Sequence, residues 1–430
     1  MEKFIIHGGK QLSGEVTPSG NKNAALPLLA ACLLTSEPVI LRNVPNIQDV
    51  LSMRQVLTSL GVHFETLEQH TWRVCAKKIN PTNLDSGTAR KIRASILLVG
   101  PMLARAGELH LPPPGGDVIG RRRVDTHILA LKALGAKTSF DSKARVFHFT
   151  ADQLHGQDIL LDEASVTATE NAIMAAATAS GTTILRNAAS EPHVQELCHL
   201  INQMGGNISH IGSNTLHIEG VAKLGGAEFT IGPDYLEVIS FVGAAVITHS
   251  SIRIRNAGPQ YLDMARLVFR RMGVDWIVDG EDIIVPANQE LTISPDVGNA
   301  IPEISVMPWP AFPTDLMSIA IVVATQAVGT VLFHDWMYEG RMYFTDKLSG
   351  MGAQIVLCDP HRCIVQGPSQ LIGERVDSPD IRAGLALVLA ALAADGTSVI
   401  RNVGQIDRGY ERIEEKLRSL GANIERQSGN

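Results

Sequence analysis

His193-Val194-Gln195-Glu196-Leu197-Cys198-His199-Leu200-Ile201-Asn202-Gln203-Met204-Gly205 is an apolar helical stretch stopped by a glycine. The same ending, Leu-Gly or Met-Gly, recurs at Gly61, Gly135, Gly273, Gly352 and Gly421, and the successive spacings are 74, 70, 68, 79 and 69 residues. A glycine just past a helix accepts the left-handed backbone that ends it, so six near-even stops predict six copies of one unit. Around the quoted stretch the copy can be read in full. An Ala-rich helix is expected over 171–179, a strand over 182–185, a helix over 193–204 and strands over 207–210 and 214–218. Each copy is therefore expected as helix, strand, helix and two short strands.

The sixth copy is short. It stops at residue 430, soon after a helix expected over 407–420, and lacks the closing strand and turn of earlier copies. Those pieces sit at the other end of the chain. The pattern Gly-x-x-x-Leu-x-Gly occurs at Gly8/Leu12/Gly14, Gly220/Leu224/Gly226 and Gly367/Leu371/Gly373, so the N-terminus is expected to complete the last copy. That permutation predicts two domains: 21–230, inserted, holding copies one to three, and 1–20 plus 231–430, holding copies four to six. The chain crosses near Gly20 and near Gly232. Two domains of about 200 residues also match the usual size limit of a single core.

Composition sets bounds. Hydrophobic residues make up 45% and aromatic residues 5% of the chain, which suits aliphatic helix-on-sheet cores. Apolar runs are too short or too interrupted to span a bilayer, and residues 1–20 have no signal-peptide core, so the expectation is cytoplasmic, without a membrane. Five cysteines (Cys32, Cys75, Cys198, Cys358, Cys363) form no Cys-x-x-Cys pair, which favours reduced thiols. Cys358-Asp359-Pro360-His361-Arg362-Cys363 matches no standard zinc spacing and falls where two short strands should meet. A net charge of −7 disfavours a nucleic-acid surface.

Cations nevertheless cluster locally. Arg121-Arg122-Arg123 follows Pro112-Pro113-Pro114-Gly115-Gly116-Asp117, whose prolines and glycines break helix and strand alike. A loop carrying three guanidiniums and one carboxylate suits closure over an anionic substrate; a solvated surface turn is the other reading of the same residues. A second cluster, Ser19-Gly20-Asn21-Lys22-Asn23-Ala24-Ala25-Leu26-Pro27, lies at an expected helix start, where free N–H groups and the helix dipole favour anions. Setting the Gly-x-x-x-Leu-x-Gly copies in register places Lys22-Asn23 opposite Ile381-Arg382, again just before an Ala/Leu-rich helix. Pro313-Thr314-Asp315 opens the corresponding helix of the fifth copy. Equivalent helix starts thus carry Lys22, Asp315 and Arg382, where a bare structural repeat needs only caps.

Several of these segments together resemble one family. Gly20-Asn21-Lys22-Asn23-Ala24-Ala25-Leu26-Pro27, Pro114-Gly115-Gly116-Asp117 with Ile119-Gly120, Phe312-Pro313-Thr314-Asp315, Asp380-Ile381-Arg382-Ala383 and Asp407-Arg408-Gly409-Tyr410-Glu411-Arg412 are similar to the UDP-N-acetylglucosamine enolpyruvyl transferases, or 1-carboxyvinyltransferases. The resemblance covers essentially the whole chain. It implies two inside-out α/β barrel domains, each of three βαβαββ-type repeats. It also implies transfer of enolpyruvate from phosphoenolpyruvate to the 3-hydroxyl of the UDP-sugar with release of phosphate, the first committed step of peptidoglycan precursor synthesis. The implied enzyme needs no metal or organic cofactor, takes small-molecule substrates only and is a monomer.

Residue by residue, the resemblance makes Asp315 the base toward the sugar hydroxyl and lets Lys22, Arg122 and Arg382 hold phosphoenolpyruvate and its departing phosphate. Arg341 is similar to a further active-site arginine. Asn23, Arg93, Arg122, Arg123, Val124, Asp125, Ser165, Val166, Asp315 and Met337 match UDP-sugar contacts; ordinary loop packing is the alternative reading. Asp117 stands where most members carry cysteine. Either side chain can deliver a proton, but an ordinary aspartate has a pKa of about 3.9 against about 8.5 for cysteine, so a profile favouring lower pH is expected. Epoxides of the fosfomycin type alkylate the thiolate, so insensitivity to them is expected too.

Other departures lie near the nucleotide sugar. The usual Arg-Pro-Val-Asp-Leu-His becomes Arg122-Arg123-Val124-Asp125-Thr126-His127, Ser-Val-Gly-Ala-Thr becomes Ser165-Val166-Thr167-Ala168-Thr169, and Tyr235 replaces a frequent arginine. Three rival readings stay open: an enolpyruvyl transferase for another acceptor, such as shikimate 3-phosphate or a modified UDP-sugar; an inactive UDP-sugar-binding paralogue; and an RNA-end-processing enzyme on similar repeats. The last would need a nucleophilic histidine and a nucleotide motif that the sequence does not offer.

Overall fold

The computed structural model describes residues 2–117 and 119–428 of the chain; Met1, Val118, Gly429 and Asn430 lie outside the described residues. The chain divides into two compact units. One, the inserted unit, consists of Gly20–Asp117 and Arg122–Gly232; the other, the terminal unit, consists of residues 2–19, 119–121 and 233–428. The tripeptide 119–121, expected with the inserted stretch, groups with the terminal unit because its backbone bonds there: Gly340 N–H donates to Ile119 O at 2.8 Å, and Arg121 N–H to Glu339 Oε2 at 3.0 Å.

The six glycines that stop the helices all adopt the left-handed backbone, with φ between 81° at Gly273 and 106° at Gly135. Helix, turn and strand then follow as the spacing predicts. In the third copy, helix Val166–Ala176, strand Thr182–Arg186, helix Pro192–Gln203 and strands Asn207–Ser209 and Thr215–Glu219 succeed one another. Thr182–Arg186 runs parallel to Asp158–Leu160 and antiparallel to Thr215–Glu219, which pairs antiparallel with Asn207–Ser209.

Among the described residues this four-stranded pattern occurs five times, and a sixth sheet has three strands. The short sheet is that of the second copy, where Glu108–Leu111 has no parallel neighbour. Residues 81–89 coil instead, into a 3-10 turn at Pro81–Asn83 capped by Asn80 and a short helix Ser86–Ala89 capped by Asp85. Proline cannot donate to a ladder and is at home in a first helical turn, which accounts for the missing strand.

In the last copy the N-terminal strand Lys3–His7 lies between Thr397–Arg401 and Asn423–Gln427, antiparallel to both, with Phe4 opposite Ile400 and Arg426. The motif that marks this permutation has a steric basis. A Cβ on Gly8, Gly220 or Gly367 would come within 2.1, 1.6 or 2.2 Å of the carbonyl oxygens of Ala394, Ala179 and Ala327, so only glycine lets the chain pass beneath the end of each central helix.

In each unit a central set of helices is inside and the sheets are outside. Tyr235–Ile247, Met317–Ala324 and Ile381–Ala393 pack on one another in the terminal unit, and nearly every residue in them is buried. In the inserted unit Val166–Ala176 packs on Val99–Ala106 and on Arg93–Leu98, which in turn meets Lys22–Ala31. A helix apolar all round must be enclosed, and three sheets around three such helices enclose them. The units have separate hydrophobic cores. No helix among the described residues is long and apolar enough to cross a membrane.

One expected element differs. The helix expected over 407–420 is two pieces, Gly404–Asp407 and Ile413–Ser419, with Arg412 left-handed between them. A Cβ on Gly409 would lie 2.4 Å from Ile381 Cγ2, so the chain turns against the central helix and drives Tyr410 into the core.

Candidate functional site

In the inserted unit, Lys22 is the first residue of helix Lys22–Ala31, whose N-cap Asn21 accepts from the N–H groups of Asn23 and Ala24. The Lys22 ammonium is almost wholly buried and lies 2.8 Å from Asp49 Oδ2. Asn23 follows, half-buried, on the first turn. The loop bearing Asp117 is pressed against residues 90–93 by its two glycines: a Cβ on Gly115 would lie 1.9 Å from Arg90 O, and one on Gly116, left-handed at φ 105°, would lie 2.9 Å from Arg93 Cβ and 3.1 Å from Arg122 Nη1. Asp117 itself is half-buried.

Arg93 opens the 3-10 helix Arg93–Leu98 and its Nη2 donates to Arg123 O at 2.6 Å. That bond fixes the backbone just ahead of helix Asp125–Ala133, whose N-cap is Val124. Arg123 reaches forward to Asp125 Oδ2 at 3.0 Å, and its Nη2 is 3.9 Å from Asp162 Oδ2. Ser165 caps helix Val166–Ala176, its carbonyl accepting from Thr169 N–H. The predicted UDP-sugar contacts of this unit thus sit on three α-helix starts, on the 3-10 helix that Arg93 opens and on the loop beside them, and helix starts carry backbone N–H groups without partners in their own helix.

In the terminal unit, Asp315 sits in the 3-10 turn Thr314–Leu316 that leads into Met317–Ala324. Its Oδ1 accepts from Arg341 Nη2 at 2.9 Å and its Oδ2 from Arg382 Nε at 3.2 Å. Arg382 is the second residue of helix Ile381–Ala393, whose cap Asp380 accepts from the N–H groups of Arg382 and Ala383. Arg382 also donates Nη1 to Tyr410 Oη at 2.9 Å, with its guanidinium 5.3 Å from that ring's centre. Both arginines are buried. Burial opposes the charge on Arg341, and Asp315, Asp380 and Asp335 reverse the balance, so its pKa lies above the ordinary arginine value. For Arg382 burial is again the opposing effect, outweighed by Tyr410 and Asp315, and the guanidinium is held well above that value.

A second carboxylate stands behind the first. Asp335 is fully buried. It accepts from Thr314 Oγ1 and, on Oδ1, from the N–H groups of Met337 and Tyr338 at 3.0 and 3.3 Å. Its Oδ2 is 4.0 Å from Arg341 Nε. Burial raises the Asp335 pKa, and Thr314 and Arg341 limit the rise. Met337 is therefore placed by the carboxylate two residues before it, and Thr314 by the same group. Tyr410, Asp335, Thr314 and Asp380 are the members of this cluster to which sequence reasoning gave no role. Asp380 had a legible signal, the cap preceding an Ala/Leu-rich helix; the others acquire their partners only through packing.

Chemically, the terminal unit offers one carboxylate gripped by two buried cations, whose positive charge attracts anions. The inserted unit offers a buried ammonium, arginines and the Asp117 carboxyl. Among the described residues no group of three or more His, Cys, Asp or Glu side chains is arranged to hold a metal ion.

The protein-family model described as EPSP synthase (3-phosphoshikimate 1-carboxyvinyltransferase) matches residues 6–417. The chain is 53% identical over 425 residues to the UDP-N-acetylglucosamine 1-carboxyvinyltransferase of Treponema denticola, covering 99% of each chain. It is 54% identical over 424 residues to that of Bradyrhizobium diazoefficiens, covering 99% of this chain and 98% of the relative. Among solved structures, the enolpyruvyl transferase NikO from Streptomyces tendae superposes with a TM-score of 0.88 at 24% identity, over 100% of this chain and 99% of the other. EPSP synthase from Acinetobacter baumannii gives 0.75 at 17%, over 100% of both. These two likenesses concern the fold. The chain belongs to the EPSP synthase family of carboxyvinyltransferases, and within it to the UDP-N-acetylglucosamine 1-carboxyvinyltransferases.

Proposed function

We propose that the protein transfers the enolpyruvyl group of phosphoenolpyruvate to the 3-hydroxyl of UDP-N-acetylglucosamine, releasing phosphate, as the first committed step of peptidoglycan precursor synthesis in the cytoplasm. The observation that supports this most is the Asp315 carboxylate gripped by Arg341 and Arg382, in a chain aligned from end to end with transferases of that name.

In this reading Asp315 takes the proton of the sugar 3-hydroxyl as its oxygen bonds to C2 of the phosphate ester, while Asp117 delivers a proton to the methylene carbon, which becomes a methyl group. The tetrahedral ketal then collapses with the proton traffic reversed: a proton leaves the methyl carbon for the Asp117 carboxylate, the double bond re-forms and the C–O bond to phosphate breaks, the departing phosphate taking the proton held on Asp315. The ester's carboxylate and phosphate are anionic throughout, and the phosphate takes up further negative charge as its C–O bond breaks, so fixed cations are needed to hold both groups. Lys22, Arg122 and Arg382 take that role, with Arg341 holding the Asp315 carboxylate in place. Asn23, Arg93, Arg122, Arg123, Val124, Asp125, Ser165, Val166, Asp315 and Met337 contact the UDP-sugar. The enzyme works as a monomer without metal or organic cofactor. A modified UDP-sugar is the second reading, favoured by the Arg123–Asp125 ion pair, which occupies two of the expected contacts with each other.

Phosphate release from phosphoenolpyruvate is to be measured with UDP-N-acetylglucosamine, with shikimate 3-phosphate and with no acceptor. Release is expected with the UDP-sugar alone. Release with shikimate 3-phosphate instead, or with neither, defeats the reading in favour of another acceptor or of a binding paralogue.

A further inference from the structure

Two threonines cross-tie the first turn of helix Asp125–Ala133 to the first turn of helix Val166–Ala176 and to the segment just before it. Thr126, 2% exposed, donates Oγ1 to Asp162 Oδ1 at 2.7 Å. His127, 1% exposed, has Nε2 3.1 Å from Thr167 Oγ1. The direction of the second bond follows from a chain of partners. Gly100 N–H can only donate, and it meets Asn171 Oδ1 at 2.8 Å. The atom that Asn171 turns to Ile96 O, at 2.7 Å, and to His127 Nδ1, at 2.9 Å, is therefore its NH2 group. So Nδ1 accepts, the imidazole proton sits on Nε2, and the Thr167 hydroxyl accepts it while keeping its own proton as a donor. Burial, with Arg93 assisting, pushes the ring's pKa down to about 3, and the ring stays neutral at ordinary pH. At the far end of the segment before helix Val166–Ala176, Leu161 O accepts from Asn187 Nδ2 at 3.0 Å.

We propose that Thr126 and Thr167 are positioning residues for the UDP-sugar, holding the string Arg122-Arg123-Val124-Asp125 at a fixed spacing from Ser165-Val166. The proposal rests on the UDP-sugar reading above. Both threonines stand where the family pattern has leucine and glycine, so these hydroxyl ties belong to this chain's own version of the seat. Arg123 strengthens the same junction, since it faces both Asp125 and Asp162. A seat whose two sides are already ordered loses less conformational freedom when the ligand arrives. Such ordering acts equally on the bound ground state and on the transition state. It therefore appears in KM for the nucleotide sugar and leaves kcat alone.

The test uses the full-length enzyme with Thr126→Val and Thr167→Val, which keep the shape and lose the hydroxyl, with Thr126→Ala and Thr167→Ala as second routes should a valine variant not fold, and with Thr126→Ser and Thr167→Ser. KM for UDP-N-acetylglucosamine and for phosphoenolpyruvate, kcat and melting temperature are measured for each. The valine and alanine variants are expected to raise KM for the UDP-sugar about fivefold, the equivalent of one ordinary hydrogen bond, with kcat and KM for phosphoenolpyruvate within about twofold. The serine variants are expected to match the wild type. A lowered melting temperature with an unchanged UDP-sugar KM assigns the threonines to stability alone and overturns the proposal while the functional reading stands. Equal rises in both KM values overturn it likewise. Absence of wild-type turnover with the UDP-sugar overturns both.

Discussion

Asp315 accepts from Arg341 on one oxygen and from Arg382 on the other, and both guanidiniums are buried. Replacing it by asparagine removes the negative charge between two cations as well as the proton acceptor. Asp315→Asn is expected to slow single-turnover phosphate release by about 10²- to 10⁴-fold, the usual worth of a positioned general base. It is also expected to destabilise the terminal unit by about 3 kcal/mol, because an unbalanced buried charge remains. Near-wild-type release would remove Asp315 from the chemistry. Asp117 carries a different expectation. Its carboxylate lacks the thiolate that attacks an epoxide, so incubation with fosfomycin should leave turnover unchanged and Asp117→Cys should become sensitive; a stoichiometric adduct on Asp117 by mass spectrometry would refute this. Turnover of the two proteins from pH 5 to 9 is expected to differ, with the cysteine variant favoured at higher pH. At this scale Lys22, Asp315 and Arg382 were legible because the repeat register puts them at equivalent helix starts. Tyr410 and Asp335 had no assigned role, since a tyrosine or aspartate shows its partner only once it is buried beside it.

The strand Lys3–His7 is the middle partner of Thr397–Arg401 and Asn423–Gln427, although about 390 residues separate it from the first of them. Phe4 and Ile6 are fully buried in the terminal unit's core. Phe4→Ala should therefore cost about 3–5 kcal/mol in that unit. Hydrogen exchange is expected to quicken across helix Tyr235–Ile247 and strand Asn423–Gln427 while helix Val166–Ala176 keeps its protection. Equal loss in both would show that the strand's contribution is not confined to one core. The strand was foreseen from Gly8/Leu12/Gly14, a motif whose first glycine meets the Ala394 carbonyl. Two elements were not foreseen. The missing strand of the second copy is replaced by capped turns at Asn80 and Asp85, and the break after Asp407 arises from contact between Gly409 and Ile381. Both depend on which neighbour a residue meets, whereas periodicity reports only which face is apolar.

Two separate hydrophobic cores make unfolding in two steps the expectation for the whole molecule, and pH should act on the steps unequally. His127 in the inserted unit is neutral and buried, with its pKa lowered to about 3 against about 6.5 in an unfolded chain. The unfolded chain thus binds the proton more readily. The stability this ring contributes is present above about pH 6.5 and is lost as pH falls toward 3, by about 2.5 kcal/mol between pH 7 and 4.5. Glu170 of the same unit runs the other way: burial, aided by Glu191, holds its carboxyl well above the ordinary value, so its contribution is lost as pH rises. Calorimetry of wild type and His127→Gln at pH 7 and 4.5 separates the two, with the wild type expected to lose about 2.5 kcal/mol more than the variant; parallel losses would show that the ring is not held neutral. The sequence by itself determined the copy number and the permuted end, because glycine stops, apolar periodicity and motif spacing are local properties of the chain, and its motifs carried the family resemblance that implied the helix-inside architecture. Only the tertiary structure decided that Asp315 is gripped by two buried arginines, that Tyr410 backs one of them and that Asn171 sets the proton on His127. Those bonds join residues far apart in sequence, and a charge or tautomer is set by the atoms folding places around it.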